Sequence, residues 1–184
     1  MNSIPLAMAL ALGIPVAAVG LYVRARGYGG SREDVAAVDD STQLDGEAAL
    51  LADSIGWPYV YGRGTPATPW SEGPRGVDCS GYAQMCLVRL GRLSSSATDR
   101  GASSLAYGCD PVAVGDQSPG DLAYYPGHVV VVASYPDPLT GHSAVLSASG
   151  DAEDLVAGLN PNARVKLYTS ALYRGDFLTY MRLK

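Results

Sequence analysis

A cysteine set between an aspartate and a serine-glycine pair, Asp78-Cys79-Ser80-Gly81, opens an apolar run with helical spacing (Tyr82, Met85, Cys86, Leu90). Asp78 is of the residue types that cap helix N-termini, so the spacing predicts a helix beginning at or beside Cys79. There the unpaired backbone N–H groups and the positive end of the helix dipole favour a thiolate. A thiolate so placed can attack a carbonyl carbon, and the same N–H groups can hold the oxyanion that forms. Taken alone, these residues also describe a buried cysteine opening a core helix. A second chemical group changes the balance. The chain has two histidines, and His128 follows the turn Pro126-Gly127 and heads the most strand-like run, Val129 to Val132. A histidine there can be merely structural, but beside a helix-start cysteine it is a candidate general base.

The elements that must position this pair read in order along the chain. A helix is expected around Leu44 to Ile55, with Leu44, Ala48, Leu51 and Ile55 on one face and Gly56 as its stop. Trp57-Pro58-Tyr59-Val60-Tyr61-Gly62-Arg63-Gly64 is a short extended segment closed by glycines. Ser94 to Tyr107 is small and polar, with room for a short helix from Ser95 or Thr98. Pro119-Gly120-Asp121-Leu122 is a turn feeding a strand to Tyr125. Further strands are expected over Ser143 to Ser149, Arg164 to Thr169 and Phe177 to Leu183, with a polar excursion from Asp151 to Leu159. Helices first and then strands joined by short loops is an α+β pattern with an antiparallel sheet of about five strands.

Composition excludes several classes of function. The 184 residues carry a net charge of -5 with no run of Lys and Arg, so nucleic acid is not an expected partner. Three cysteines at irregular spacing make neither a disulfide framework nor a zinc pattern. Residues 1–23 form a hydrophobic segment, in which Ile4 to Val23 gives twenty almost uninterrupted apolar residues, enough to span a bilayer. It reads as an anchor, a cleaved signal or an arm packed into an assembly such as a virus particle. Arg24 and Arg26 follow it, and the positive-inside rule would then leave the remainder in the cytoplasm, which counts against a simple tether. Residues 24–40 are rich in Gly and charge and read as a linker, leaving 41–184 as one catalytic domain.

Four stretches together resemble the NlpC/P60 cysteine peptidases of the cell wall: Gly56-Trp57-Pro58-Tyr59-Val60-Tyr61-Gly62, Asp78-Cys79-Ser80-Gly81, Pro119-Gly120-Asp121-Leu122 and His128-Val129-Val130. They stand in the family's order and span about residues 44 to 149. Tyr61 stands where a Trp is commoner, and Arg63 where a second Gly is. The resemblance implies a papain-like α+β core with N-terminal helices packed on the sheet. It implies hydrolysis of peptidoglycan stem peptides, typically between D-γ-glutamyl and a diamino acid, with no metal or cofactor. Carried over by motif, Cys79 is the nucleophile and His128 the base. Tyr59 lines the active site, and Asp78 and Ser80 help hold the amino end of a stem peptide.

The third residue, which orients the imidazole, departs from the family's pattern. Leu146-Ser147-Ala148-Ser149 stands where the family has a histidine, so Ser147 is the expected third catalytic residue, with Ser149 and His142 behind it. A serine hydroxyl accepts the imidazole N–H but polarises the ring less than His, Asn or a carboxylate. In an antiparallel hairpin of the two strands, His142 would sit near the turn, roughly 15–20 Å from His128.

The expected protein is therefore an extracytoplasmic, envelope-associated peptidoglycan endopeptidase, or a phage-tail enzyme that opens the wall. Residues 4–23 would meet the membrane or a virion assembly partner. The alternatives are an amidase or acyltransferase on the same scaffold, and a degenerate domain kept for structure or assembly.

Overall fold

The computed structural model of the chain describes residues 44–184, so the hydrophobic segment and the linker expected before them lie outside the described residues. Six strands form one antiparallel sheet: β1 (Cys109–Val112), β2 (Leu122–Tyr125), β3 (His128–Val132), β4 (Val145–Ser149), β5 (Arg164–Tyr168) and β6 (Thr179–Leu183), in the order β1-β6-β2-β3-β4-β5. Helices α1 (Cys79–Arg89) and α2 (Ala102–Tyr107) precede them, as does a 3-10 helix, Gly46–Ser54. The fold is α+β, and no described helix is long and apolar enough to cross a membrane.

Strand β3 lies near the middle of the sheet, and all five of its residues are buried. Its run of valines without polar alternation needs cover on both faces. Val129 and Val131, with Leu146 and Ala148 of β4, pack in the cluster that holds Tyr82, Ala83, Met85 and Cys86 of α1. Val130 and Val132, with Val145, pack on the other side against Tyr125, Tyr168, Ala171 and Tyr180. Each fully buried side chain such as Leu146 contributes about 1.5–3 kcal/mol over its exposed state. Burial from Gly81 to Leu87 is continuous along α1, which fixes where the first turn of that helix stands against β3.

The sequence and the structure differ in three elements. The expected helix over Leu44 to Ile55 is wound as a 3-10 helix, and its buried residues, Ala48, Leu51 and Ser54, recur every third position. That is the period at which 3-10 side chains eclipse. The short helix of the polar stretch starts later than expected, at Ala102. The strand that the sequence did not indicate is β1, which contains Pro111 and pairs only with β6 at the sheet edge. An edge is where a strand tolerates a residue without an N–H.

Asp121 of the Pro-Gly-Asp-Leu turn is a structural residue. Its buried carboxylate accepts Arg182 Nη2 at 2.7 Å and Nε at 2.9 Å, takes the Ser118 N–H at 2.8 Å, and lies 3.4 Å from Arg92 Nη1. It thereby joins the end of α1, the start of β2 and the last strand.

Candidate active site

Cys79 is the first residue of α1, and Asp78 caps the helix with Oδ1, which accepts the Gly81 N–H at 2.7 Å. The sulfur reaches the start of β3, where the backbone N–H of Val129 hydrogen-bonds to it, and the N–H groups of Ser80 and Cys79 also favour its anion. These donors do not decide its resting state. Burial, and then the negative charge of Asp78, push the thiol above its ordinary value. The thiolate expected at a helix start is therefore overridden by desolvation, and Cys79 rests as a thiol. All three cysteines are free, Cys86 and Cys109 being buried.

Asp78 also anchors the glycine-closed segment. Its Oδ2 accepts the Gly62 N–H at 3.0 Å, its Oδ1 accepts the Ser80 hydroxyl at 3.1 Å, and its own N–H donates to Arg63 O at 2.8 Å. Gly64 takes φ of 87°, a left-handed conformation suited to glycine. The loop then lies so close to α1 that a Cβ on Gly81 would fall on the carbonyl oxygens of Arg63 and Gly64. This contact explains the glycine of Asp-Cys-Ser-Gly. Tyr59 is buried beside the same site, and burial, then its neighbours Cys79 and Asp78, push its hydroxyl pKa well up. A Cβ on Gly150 would collide with the Tyr59 ring, so the end of β4 closes on the tyrosine.

His128 occupies the first position of β3, and its ring packs beside Tyr125 with centroids 5.9 Å apart. Its Nε2 lies 3.0 Å from Ser147 Oγ and 3.1 Å from Tyr173 Oη. Burial, and then the positive charge of Arg174, lower its pKa to about 4, against an opposing pull from Asp176. The imidazole is thus neutral at rest. Among the described hydrogen bonds none joins the sulfur to the ring, and those of the ring are made by Nε2. Cys79 and His128 thus both stand at the start of β3, the sulfur at Val129 and the imidazole one residue before it.

The structure sets Ser147 beside His128 at 3.0 Å, and Ser149 reaches Ser147 at 2.7 Å. His142 lies elsewhere. It precedes β4 at the turn end of the hairpin, where Nδ1 is 3.1 Å from Tyr180 Oη and the ring packs edge-on to Phe177. Two residues at the site carried no sequence signal. Tyr173 belongs to a three-residue 3-10 helix between β5 and β6. Gln84, fully buried on α1, donates through Nε2 to Ser80 O at 3.1 Å, Asp99 Oδ1 at 2.9 Å and Arg100 O at 2.9 Å, and accepts the Arg100 N–H at 2.9 Å. A buried glutamine with its amide fully bonded fixes the neighbouring loop against the helix start. Among the described residues, no group of three or more His, Cys, Asp or Glu is placed to hold a metal ion.

Comparison with known proteins identifies the architecture. No protein-family model matches the sequence, and no curated protein matches it significantly. Solved structures do match. The peptidoglycan hydrolase RipB of Mycobacterium tuberculosis is 19% identical with a TM-score of 0.50, over 99% of this chain and 91% of that one. The P60 domain of an antigen of Mycobacterium avium subspecies paratuberculosis is 20% identical with a TM-score of 0.47, over 74% and 90%. A protein from Staphylococcus aureus similar to lipoproteins of the NLP/P60 family is 19% identical with a TM-score of 0.48, over 82% of this chain and 44% of that one. The chain shares its α+β fold with RipB.

Proposed function

We propose that this chain is a peptidoglycan hydrolase, a cysteine peptidase that cuts stem peptides between D-γ-glutamyl and a diamino acid outside the cytoplasm. The observation that carries the reading is the meeting of two element starts. Cys79 opens α1 with its sulfur on the Val129 N–H, and the residue before Val129 is His128, held at Nε2. RipB, which shares the fold, is named as a peptidoglycan hydrolase. The apolar segment 4–23 suits attachment to the envelope, or packing in a phage tail that opens the wall.

Both partners rest neutral, so His128 acts as a general base rather than as half of a standing ion pair. Nδ1 takes the thiol proton as sulfur adds to the carbonyl carbon. The N–H groups at the start of α1 are donors for the oxyanion. Collapse breaks the C–N bond, and the imidazolium gives its proton to the leaving amine. Water, deprotonated by His128, then hydrolyses the thioester to a carboxylate and restores the thiol. Tyr59 walls the site. Ser80 and Asp78 meet the amino end of the stem peptide. A carboxylate oxygen accepts two hydrogen bonds, so Asp78 Oδ2 keeps acceptor capacity beyond Gly62.

Incubating the full-length chain and its Cys79→Ala variant with purified peptidoglycan fragments, read by mass spectrometry, tests the reading. Cleavage that requires Cys79 and frees the amine of the diamino acid is the expected result. A folded chain that leaves the fragments intact while its Cys79 still reacts with iodoacetamide would overturn it.

A further inference from the structure

The ring nitrogen that should be held by one strong acceptor has two hydroxyls on it. Ser147 Oγ lies 3.0 Å and Tyr173 Oη 3.1 Å from His128 Nε2, and the two oxygens are 3.1 Å from each other. The three atoms close a triangle, and Ser149 Oγ extends it from Ser147 at 2.7 Å. No carboxylate is among the hydrogen-bond partners described for this ring. Serine alone is a weak orienter, because its hydroxyl rotates and carries no charge.

Tyr173 supplies what serine lacks. Its ring stacks on Tyr168 with centroids 3.9 Å apart at 16°, and meets Tyr125 edge-on at 5.7 Å. A phenol fixed from two sides offers its oxygen at one point, with little rotamer freedom left to lose. Arg174, the next residue, lies over the Tyr125 ring at 5.3 Å and pairs with Asp176 at 2.8 Å, so the same short segment is fastened again.

We propose that Tyr173 is a positioning residue for His128: with Ser147 it holds the imidazole in the Nε2–H tautomer, leaving Nδ1 bare to receive the Cys79 proton. The proposal rests on the reading of Cys79 and His128 as a catalytic pair. A ring N–H shared between two neutral oxygens suits a base that is uncharged at rest. When the ring gains its proton, the second oxygen spreads the positive charge of Nε2–H over two dipoles instead of one. Burial keeps the Tyr173 hydroxyl protonated, so it can also donate to Ser147 and leave that oxygen a better acceptor.

Tyr173→Phe removes the hydroxyl and keeps the ring between Tyr168 and Tyr125, so a folded variant is expected. Three readouts are taken on the full-length chain. Nitrogen NMR of the imidazole in the unsubstituted chain should find His128 as the Nε2–H tautomer, with that population reduced in Tyr173→Phe. Alkylation of Cys79 by iodoacetamide near pH 7 should slow severalfold in the variant. Hydrolysis of wall fragments should lose about tenfold in kcat with KM within about twofold. A Nδ1–H tautomer in the unsubstituted chain would overturn the proposal, without recourse to any variant. So would a folded Tyr173→Phe chain with unchanged tautomer and alkylation rate. Fragments left uncut by either chain, with tautomer and alkylation responding as stated, would overturn the peptidoglycan reading and support the role of Tyr173.

Discussion

Asp78 Oδ2 accepts the backbone N–H of Gly62 at 3.0 Å while Oδ1 of the same carboxylate caps α1 at Gly81. One side chain thus fastens the loop of Tyr61 and Arg63 to the helix that presents Cys79, and its charge acts on the thiol beside it.

Asp78→Asn separates these roles. The amide oxygen can still cap Gly81, but the charge is gone, so the pH midpoint of Cys79 alkylation should move to lower pH. The Gly62 N–H loses its acceptor, and limited proteolysis of the 61–64 loop should quicken. Asp78→Ala removes the cap as well and should cost about 1 kcal/mol more in urea unfolding. An unmoved or raised alkylation midpoint in Asp78→Asn would show that the aspartate charge does not reach the sulfur.

Gly81→Ala should reverse the usual sign of a helical glycine substitution. In an open helix the change gains about 1 kcal/mol. Here the new methyl meets the carbonyls of Arg63 and Gly64, which are backbone atoms and cannot swing aside. A loss of about 1–3 kcal/mol is expected by denaturant unfolding, with activity falling as the loop is displaced. A stabilised variant would mean that the loop does not lie on the helix.

The parts of this architecture that could be read from the residues are those where local chemistry and tertiary need coincide. The start of α1 was legible because Asp78 is a cap by type and the apolar spacing begins at once behind it. β3 was legible because a valine run has few other uses. The winding of Gly46–Ser54 was hidden, since Ala48 and Leu51 fit an α-helical face and a 3-10 face equally. β1 was hidden by Pro111, whose tolerance depends on an edge that only the assembled sheet defines. At the site, Ser147 could be located by motif alignment. Tyr173 could not, because its approach to His128 depends on aromatic packing 45 residues away in sequence. The balance at Cys79 was hidden for a related reason: a helix start is local, whereas the burial that raises its pKa is not.

Asp121→Asn should destabilise the chain without touching the thiol. The buried carboxylate serves Arg182, Arg92 and the Ser118 N–H together, and a neutral amide can satisfy only part of that set. A loss of about 3 kcal/mol is expected from urea unfolding at neutral pH, with the Cys79 alkylation profile of the folded fraction unchanged. A change below about 1 kcal/mol would mean that the arginines find other partners.

His128 should make the fold sensitive to acid. Its pKa lies near 4 in the folded chain against 6.5 as the ordinary value, so between those limits the unfolded chain binds the extra proton. The sign follows: stability from the neutral, buried ring is complete above about pH 6.5 and declines as pH falls toward 4. At pH 4.5 the loss should be about 2–3 kcal/mol relative to pH 7.5. His142 is also lowered by burial and adds to the slope in the same direction, so the measurement is a difference between two chains. Urea unfolding of the unsubstituted chain and of His128→Asn at both pH values isolates the contribution of His128. Whatever its stability at pH 7.5, the variant should lose about 2–3 kcal/mol less on acidification. Equal losses in the two chains would mean that His128 is not held neutral, and the general-base step drawn for it would have to give way to a standing thiolate–imidazolium pair.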